Sequence, residues 1–414
     1  MLFNKSEMLL PQNADMTKWS VVACDQYTSE PEYWENVKNT TENSVSAYNL
    51  VLPEVYLEES DVDERIKKIN ENMREYLLNN VFKTTPNCYI YVERTLNNGS
   101  VRKGIMGCVD LEEYEYTAGS KSKIRATEKT VVERIPPRLK VRENAVMELP
   151  HVMLLLDDEN KNVIEPLSDL KNTFEKVYDF NLMANSGHLA GYIIDEKTAF
   201  EIDEKLLGFS DISAFNKKYG VNEEFPLVFA VGDGNHSLAT AKEFYNNMKK
   251  KVGEEAKNSP SRYALVELVN LHDDSLVFEA IHRVVFDIDE EDFVKELKSI
   301  CTTSENGQCF TLICNGKEEK LCVSNPDSNI TVGSLQNFID NYIAKKGGRV
   351  DYIHGEDVVR ELTRTQNAGI LLDAMDKGDL FKTVILDGAL PRKTFSMGDA
   401  CDKRFYTEAR IIQQ

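Results

Sequence analysis

Apolar residues recur along the chain with two different spacings, and each spacing predicts one kind of element. A spacing of three and four positions predicts an amphipathic helix over 59–80. Two segments rich in β-branched and aromatic residues, 87–96 and 100–111, are joined through an Asn-Asn-Gly turn, which predicts a hairpin. Continuous apolar runs predict further buried strands, at 151–156, 225–231, 263–271 and 277–286.

Helical patterns lie between these strands, and the interleaving predicts the fold class. Residues 237–251 form an amphipathic helix between two buried strands, and a helix is also predicted on either side of Pro136-Pro137, which should break or restart it. Strands interleaved with helices predict a mixed α/β (α+β) fold rather than a helical bundle or a β-sandwich. A length of 414 residues suggests two or three lobes, which we place at 1–119, 120–290 and 291–414.

The charge balance excludes one class of partner. The chain carries 49 basic and 69 acidic residues, a formal net charge of −20. Nucleic-acid binding needs a basic surface that displaces counterions from phosphates, so we do not expect it. No apolar run approaches the roughly 20 residues that span a bilayer, and the N-terminus lacks the pattern of a signal peptide. We therefore expect a cytoplasmic protein without a membrane partner; its oligomeric state is not predicted.

The cysteines do not predict a disulfide scaffold, because eight in 414 residues are too sparse and no CxxC occurs. Four of them crowd into 301–322, where their spacing does not match paired zinc knuckles and Asn315-Gly316 predicts a hairpin turn. Free cysteines are usually buried, so we expect core or half-buried thiols. A metal or redox role is the alternative.

The most specific local pattern comes directly after the buried strand at 225–231. Two glycines permit a tight turn there, and the start of the next helix offers N–H groups and a positive dipole end to an anion. The pattern therefore predicts a phosphate or carboxylate site. The alternative is a strand–turn–helix in which the aspartate and the serine only cap the helix. The residues are Gly232, Asp233, Gly234, Asn235, His236 and Ser237, with the helix expected to open at Ser237.

A second candidate cluster lies in residues 125–142. Glu128 could act as a general base or a metal ligand, and Arg125 could orient an anion. The alternative is that Glu128 belongs to a helix cap. Arg138 and Arg142 are four residues apart and share one helical face, which either lines an anionic pocket or faces solvent.

Two residue pairs are weaker candidates for ligand binding. Asp25 and Tyr27 come after an apolar strand, where they bind substrate or simply start a turn. His282 and Arg283 lie in a run of apolar residues that predicts a buried strand. A packed histidine beside an outward-facing arginine is the simpler interpretation of the second pair.

Two further segments carry ligand-binding residue types. His272 and the two aspartates after it have metal-ligand chemistry, but their place at a strand end indicates a turn. Lys393, Ser396 and Gly398 could form a phosphate-binding loop, although the segment is not a Walker A sequence.

Taken in order, these motifs resemble a bacterial and archaeal family, the domain of unknown function 1015. The match extends over most of residues 15–410, and its last motif resembles the ending of one branch of the family. Membership alone implies no activity. The motifs are CDQYTSEPEYW, YNLVLPE, CYIYVER, RATEKT, ERIPPRLKVRENA, HVMLLLDD, VGDGNHSLATAK, VFEAIHRVV and LPRKTFSMGDACDKRFY.

A more distant resemblance implies an activity. The Asp233-Gly234-x-His236 loop is similar to that of the ParB/sulfiredoxin-like superfamily, especially the free serine kinases, which phosphorylate serine with a nucleotide. The likeness implies a ParB/sulfiredoxin-like core at 120–290, with α/β lobes on either side. Asn235 stands where those loops have a histidine, and Ser237 stands where they have an arginine.

The same resemblance implies residue roles in phosphoryl transfer. Glu128 falls where those kinases place the base for the substrate hydroxyl, and Asp233 would help hold the Mg²⁺ of ATP or ADP. His236 would stabilise the transferring phosphoryl group. The Gly232–Ser237 loop would bind the phosphates, and Arg125, Arg138 or Lys393 could replace the missing arginine. The other basic residues expected at the phosphates are His282 and Arg283.

The expected substrate is a small anionic or amino-acid-like molecule with a hydroxyl group. A nucleotide- or metabolite-binding regulatory protein without turnover is the first alternative. A redox or nuclease activity ranks last, because the loop contains no cysteine and the net charge is strongly negative.

Overall fold

The computed structural model describes residues 1–117, 119–128, 134–303 and 307–413. Internal contacts divide the chain into two compact units. Unit 1 comprises Met1–Ala126, Thr130–Leu276 and Asp399–Gln414, and unit 2 comprises Thr127–Lys129 and Val277–Gly398. The predicted N-terminal lobe and central core therefore lie mostly within one unit. Their separation into two lobes stays a prediction.

Unit 1 is built on a mixed sheet of ten described strands, in the order β11-β12-β5-β6-β14-β10-β13-β8-β7, with β1 also paired to β6. Of the strands before residue 271, the short strands β2, β3, β4 and β9 lie outside it. The bounds are β1 (Phe3–Asn4), β2 (Leu9–Pro11), β3 (Val21–Val22), β4 (Phe82–Thr84), β5 (Ile90–Thr95), β6 (Val101–Asp110), β7 (Tyr114–Glu115), β8 (Ile124–Ala126), β9 (Met147–Glu148), β10 (Met153–Leu156), β11 (Glu175–Asn181), β12 (His188–Ile193), β13 (Phe229–Asp233) and β14 (Tyr263–Asn270).

Both faces of this sheet are covered by apolar side chains. Successive residues of a strand point to opposite faces. Accordingly, Tyr89 and Tyr91 belong to one buried cluster, whereas Ile90 and Val92 belong to a second. Strands buried on both sides need continuous apolar sequence, and this is why the runs at 151–156, 225–231 and 263–271 predicted strands correctly.

The helices of unit 1 include the one predicted over 59–80, whose apolar side at Ile66, Ile69 and Met73 is buried. Pro136 and Pro137 occupy the first turn of α4, where proline is favoured, so they start a helix. The helix predicted before them falls partly on residues 129–133, outside the described residues. The bounds are α1 (Met16–Trp19), α2 (Pro31–Thr41), α3 (Val62–Leu78), α4 (Ile135–Arg142), α5 (Leu167–Leu170), α6 (Glu196–Gly208), α7 (Ile212–Tyr219) and α8 (Asn235–Val252).

Unit 2 contains a second sheet, in the order β16-β18-β17-β20-β15-β19, with β21 also paired to β15. The bounds are β15 (Phe278–Phe286), β16 (Cys301–Thr302), β17 (Cys309–Cys314), β18 (Lys317–Val323), β19 (Arg349–His354), β20 (Ala368–Leu371) and β21 (Phe395–Met397), with α9 (Glu290–Ser299), α10 (Thr331–Lys346), α11 (Glu356–Leu362) and α12 (Lys377–Asp387).

The cysteine hairpin of unit 2 is confirmed as β17 and β18, with Asn315 and Gly316 at positive φ in its turn. Cys309 and Cys322 lie opposite each other and form a disulfide. The expectation of thiols is therefore wrong for these two residues, because the strand register brings them together. The mixed α/β class is confirmed.

The C-terminal segment Asp399–Gln414 belongs to unit 1. Its strand β22 (Phe405–Tyr406) pairs with β3, and β23 (Arg410–Ile411) pairs with β9. Next to β22, Arg404, 2% exposed, forms buried ion pairs with Glu267 and Glu408. The described part of this segment is thus fixed within unit 1. No helix in the described part of the chain is long and apolar enough to cross a membrane.

Candidate functional site

The candidate site is built around the turn between β13 and α8. Gly234 adopts φ +78°, and a Cβ atom on it would lie 2.9 Å from the Cα atom of Val152, so the turn requires glycine. The helix begins at Asn235 rather than at the predicted Ser237, and no side chain of a described residue caps it. Asp233 Oδ1 instead accepts the backbone N–H of Gly234 at 3.0 Å. The first-turn N–H groups can therefore face an anion.

His151 reaches this turn because of the strand register. The strands β10 and β13 are antiparallel with Met153 opposite Asp233, so the residues before β10 lie beside the start of α8. Nε2 of His151 lies 3.1 Å from Ser237 Oγ, and Nδ1 lies 2.8 Å from the hydroxyl of Tyr406. Sequence reasoning missed both His151 and Tyr406. The available signal was a histidine at the start of a buried strand within a family motif.

A cavity of about 150 Å³ lies beside His151 and Ser237, which both line it. The volume corresponds to roughly five water molecules. Its wall is mainly apolar, which suits a small ligand held by a few polar groups. The polar and charged residues of the wall are Cys24, Glu54, Arg138, Arg142, Glu148, His151, Ser237, Thr240 and Tyr406.

Two predicted arginines of α4 line this cavity. Arg138 is ion-paired with Glu54, and Arg142 is ion-paired with Glu148 at 2.5 Å. Burial raises the pKa of Glu54 above its ordinary value, although Arg138 opposes the shift. The cavity therefore contains cations that are already partly neutralised by carboxylates.

His236 lies in the first turn of α8 and is half-buried. Burial lowers its pKa to about 4, and the nearby guanidinium groups of Arg138 and Arg134 act in the same direction. The imidazole is therefore neutral near pH 7. It can donate one hydrogen bond and accept another.

Asp25, in the N-terminal part of the chain, lies close to His151. One carboxylate oxygen lies 3.8 Å from Nε2 of His151, and the other accepts a hydrogen bond from Gln26 at 3.0 Å. Burial opposes ionisation of Asp25, but His151 and the Gln26 hydrogen bond outweigh it and lower the pKa. The ring of Tyr27, the other predicted substrate residue, stacks on Tyr33 with centroids 3.7 Å apart.

The C-terminal segment contributes a lysine to the turn. Lys403 Nζ lies 3.8 Å from Asp233 Oδ2. Two buried arginines fix its position: Arg94 and Arg102 donate to the carbonyls of the two residues before it, at 2.8 and 2.9 Å. Lys403 belongs to the last family motif, but only the fold brings this lysine to the turn.

Arg125 has different surroundings. It lies in β8 opposite Ala230, is 3% exposed, and donates from Nε to the carbonyl of Ser122 at 2.8 Å. Burial lowers the pKa of the guanidinium, while Glu223 opposes the shift. Its Nη2 atom is buried without a hydrogen-bond partner among the described residues. A phosphate-binding role for Arg125 stays a prediction.

The remaining predicted residues belong to unit 2 and are described within it. Glu128 forms a parallel bridge with Leu390. His282 is buried, and its Nδ1 accepts the backbone N–H of Leu372 at 3.2 Å, as a packed histidine should. Arg283 is fully buried, so the expectation of an outward-facing arginine is wrong. Strands flank β15 on both sides, and this explains the burial of its arginine.

The segment around Lys393 forms a turn and a strand. Lys393 is exposed with φ +54°, and residues 395–397 form β21 against β15. Ser396 Oγ donates to the carbonyl of Gly398 at 3.1 Å. The serine hydroxyl is therefore engaged by its own loop.

Groups of side chains able to share a metal occur at two places among the described residues, and neither includes Asp233. In the first group two of the side chains already bond one another, with His272 Nε2 2.6 Å from Asp157 Oδ1. The turn interpretation of the segment after His272 is supported, because Asp273 accepts the backbone N–H of Ser275 at 2.8 Å. The groups are Asp157, Glu159 and His272, and Asp399, Cys401 and Asp402.

Comparison with solved structures finds distant likenesses. A free serine kinase mutant in complex with ADP has a TM-score of 0.39 and 10% identity, covering 76% of this chain and 93% of that chain. A conserved hypothetical protein from Pyrococcus furiosus has a TM-score of 0.35 and 9% identity, covering 74% and 94%. C-terminally truncated SbnI from Staphylococcus aureus has a TM-score of 0.36 and 10% identity, covering 73% and 85%.

Comparison of the sequence identifies a family. No curated protein matches the chain. A family described as protein of unknown function (DUF1015) matches residues 8–342, which is most of the chain. The chain therefore belongs to the DUF1015 family.

Proposed function

We propose that the chain binds a nucleotide at the turn between β13 and α8 and transfers a phosphoryl group to a small molecule with a hydroxyl group. One observation carries the proposal: the first turn of the 18-residue helix α8 is not capped by a side chain of a described residue, and it lines a cavity that contains arginine and histidine. Such a helix start favours a phosphate through its N–H groups and its dipole.

Three side chains would complete the phosphate site. Neutral His236 would donate a hydrogen bond to the transferring group, and Arg138 would exchange part of its bond to Glu54 for one to phosphate. Lys403, which lies 3.8 Å from Asp233, would supply a further cation. Together they would replace the arginine that related loops carry at the position of Ser237.

A magnesium ion would bind at this site only together with the nucleotide, whose phosphates would supply further ligands. Mg²⁺ in phosphoryl-transfer sites is commonly held by one or two carboxylates together with the phosphates. Asp233 offers one carboxylate, which Lys403 partly neutralises at 3.8 Å. The ion would offset phosphate charge; the residues of the chain would bind and orient the nucleotide.

The substrate would occupy the cavity near Asp25. The carboxylate of Asp25 suits the ammonium group of an amino-acid-like molecule, and the cavity of about 150 Å³ suits a small one. Glu128 remains our candidate for the base that accepts the proton of the substrate hydroxyl. Phosphate contacts from Arg125, His282 and Arg283 also remain predictions from the family resemblance, whereas the site proposed here uses Lys403 in place of Lys393.

Thermal-shift measurements test the binding part directly. We expect ADP or ATP with Mg²⁺ to raise the melting temperature of the full chain, and CTP serves as a comparison. Turnover is then followed with and without L-serine, in the wild type and in Glu128→Gln. If no nucleotide stabilises the protein and Glu128→Gln changes nothing, the kinase proposal is wrong.

A regulatory nucleotide-binding protein without turnover is the second candidate. The observation that favours it is that Arg138, Arg142 and Lys403 already lie against carboxylates, which suits binding more than fast transfer. Stabilisation by nucleotide with no turnover toward L-serine or other small hydroxyl compounds would support this candidate.

A further inference from the structure

Inside the cavity of unit 1, a serine hydroxyl and a histidine nitrogen are close enough to act together. Ser237 Oγ lies 3.1 Å from His151 Nε2. We propose that Ser237 is a nucleophile that carries the phosphoryl group as phosphoserine during the reaction, with His151 as its general base. This inference rests on the proposed function, because the nucleotide supplies the phosphoryl group.

The position of Ser237 suits attack on a phosphorus atom. The residue is the third of α8, so its hydroxyl shares the end of the helix with the first-turn N–H groups. A serine at a helix start often caps its own backbone, but this hydroxyl is directed to His151 in the cavity wall. A phosphoryl group on Ser237 would remain within the field of the helix dipole.

Burial and a hydrogen bond fix the ring of His151 in the orientation that a general base needs. His151 is 5% exposed, and its Nδ1 lies 2.8 Å from the hydroxyl of Tyr406, which also accepts the backbone N–H of Cys24 at 3.2 Å. With the proton on Nδ1 donated to Tyr406, Nε2 presents a lone pair to Ser237. Nucleophile, base and orienting group thus lie in the order that nucleophilic catalysis requires. Tyr406 is a positioning residue.

Asp25 places a negative charge beside His151, the base of the Ser237–His151 pair. Its carboxylate lies 3.8 Å from Nε2, the nitrogen that gains the proton. An ionised carboxylate there stabilises the imidazolium without taking the proton itself, as the aspartate does in serine hydrolases. The charge that forms on His151 is therefore compensated inside a buried site.

The two chemical steps balance. In the first, Ser237 Oγ forms a bond to the terminal phosphorus of the nucleotide, the bond from that phosphorus to its bridging oxygen breaks with its electron pair going to the shortened nucleotide, and the serine proton passes to His151. In the second, the substrate oxygen forms a bond to that phosphorus and its proton passes to the base named in the proposed function, while the bond from phosphorus to Ser237 Oγ breaks and Ser237 recovers its proton from His151.

Rapid-quench labelling of the full chain with nucleotide tests the proposal. The protein is mixed with ATP or ADP carrying labelled terminal phosphate, quenched, digested and mapped by mass spectrometry. We expect one added phosphoryl group on Ser237, chased by L-serine. His151→Gln should slow its formation by roughly 10²–10⁴-fold, the usual contribution of a general base. Ser237→Thr, which keeps a hydroxyl, should retain part of the label.

Ser213→Ala is the control for a serine at the start of another helix. Ser213 also lies in the first turn of a helix, α7, but there Asp211 caps the helix by accepting the backbone N–H of Ser213 at 2.8 Å. This variant should label like the wild type. Wild-type protein that is stabilised by nucleotide and turns over without phosphate on Ser237 overturns this inference alone. Wild-type protein that no nucleotide stabilises overturns the proposed function as well.

Discussion

Two segments of the chain combine glycine, serine and a basic residue, one in each unit, and they differ in the element to which each is joined. In unit 1, Gly234 leads directly into α8, so backbone N–H groups and the helix dipole converge on one point. In unit 2, the segment at Lys393 leads into the short strand β21, and Ser396 bonds within its own loop. The proposed anion site therefore depends on the helix start as well as on the residue types.

The largest expected effect is a loss of unfolding free energy when a buried ion pair of the C-terminal segment is broken. These buried charges hold the segment beside the first turn of α8. Arg404→Met would leave Glu267 and Glu408 buried without their shared cation. Breaking such a pair typically costs about 3–5 kcal/mol of unfolding free energy. Denaturant unfolding measures it.

The control for this prediction is an exposed ion pair in unit 2, formed by the residue before Lys393. Arg392 pairs with Asp340 at 3.4 Å with both side chains more than half exposed. Arg392→Met should cost less than about 1 kcal/mol. Equal losses for the two variants would contradict the claim that buried charges fix the C-terminal segment.

The second prediction concerns the glycine of the turn. Gly234→Ala combines a left-handed backbone with a contact of 2.9 Å to the backbone of Val152, and we expect a loss of about 2–4 kcal/mol. Gly220→Ala is the matched control, because Gly220 has φ +67° and no atom within 4 Å of the added Cβ. It should cost about 1–2 kcal/mol. A similar loss for both would show that close packing at the turn is unimportant.

The third prediction separates the two segments by nucleotide affinity. Arg138→Gln should weaken ADP binding about 10–100-fold, the value of one charge-assisted hydrogen bond. Lys393→Gln, which changes an exposed lysine of unit 2, should weaken it much less. Calorimetric titration of both variants measures the effect, and the opposite order would move the phosphate site to unit 2.

The smallest expected effect is a pH dependence from His236. Its folded pKa of about 4 lies below the ordinary 6.5, so the unfolded state binds the proton first as the pH falls. Stability is therefore lost between about pH 6.5 and 4. His236→Gln should reduce the difference in unfolding free energy between pH 7 and pH 4.5 by ~1–2 kcal/mol, after allowance for solvent at a half-buried ring. Parallel pH profiles for the two proteins would contradict the shift.

The sequence predicted the elements of this fold better than the composition of its site. Periodicity and apolar runs predicted α3, the β5–β6 hairpin, β13 and β14, because each is set by local spacing and burial. The pattern of glycine and polar residues at 232–237 also predicted the turn at Gly234. The pairs of His151 with Ser237 and of Lys403 with Asp233 depend on strand register and on the return of the C-terminus, which local spacing does not encode.

Hydrogen–deuterium exchange with and without ADP tests the central claim most directly, because it reports where the nucleotide binds. We predict that ADP with Mg²⁺ slows exchange in peptides covering the first turn of α8, at 234–240, and leaves peptides covering 391–398 unchanged. Protection confined to 391–398, or protection that spares the first turn of α8, would contradict the account.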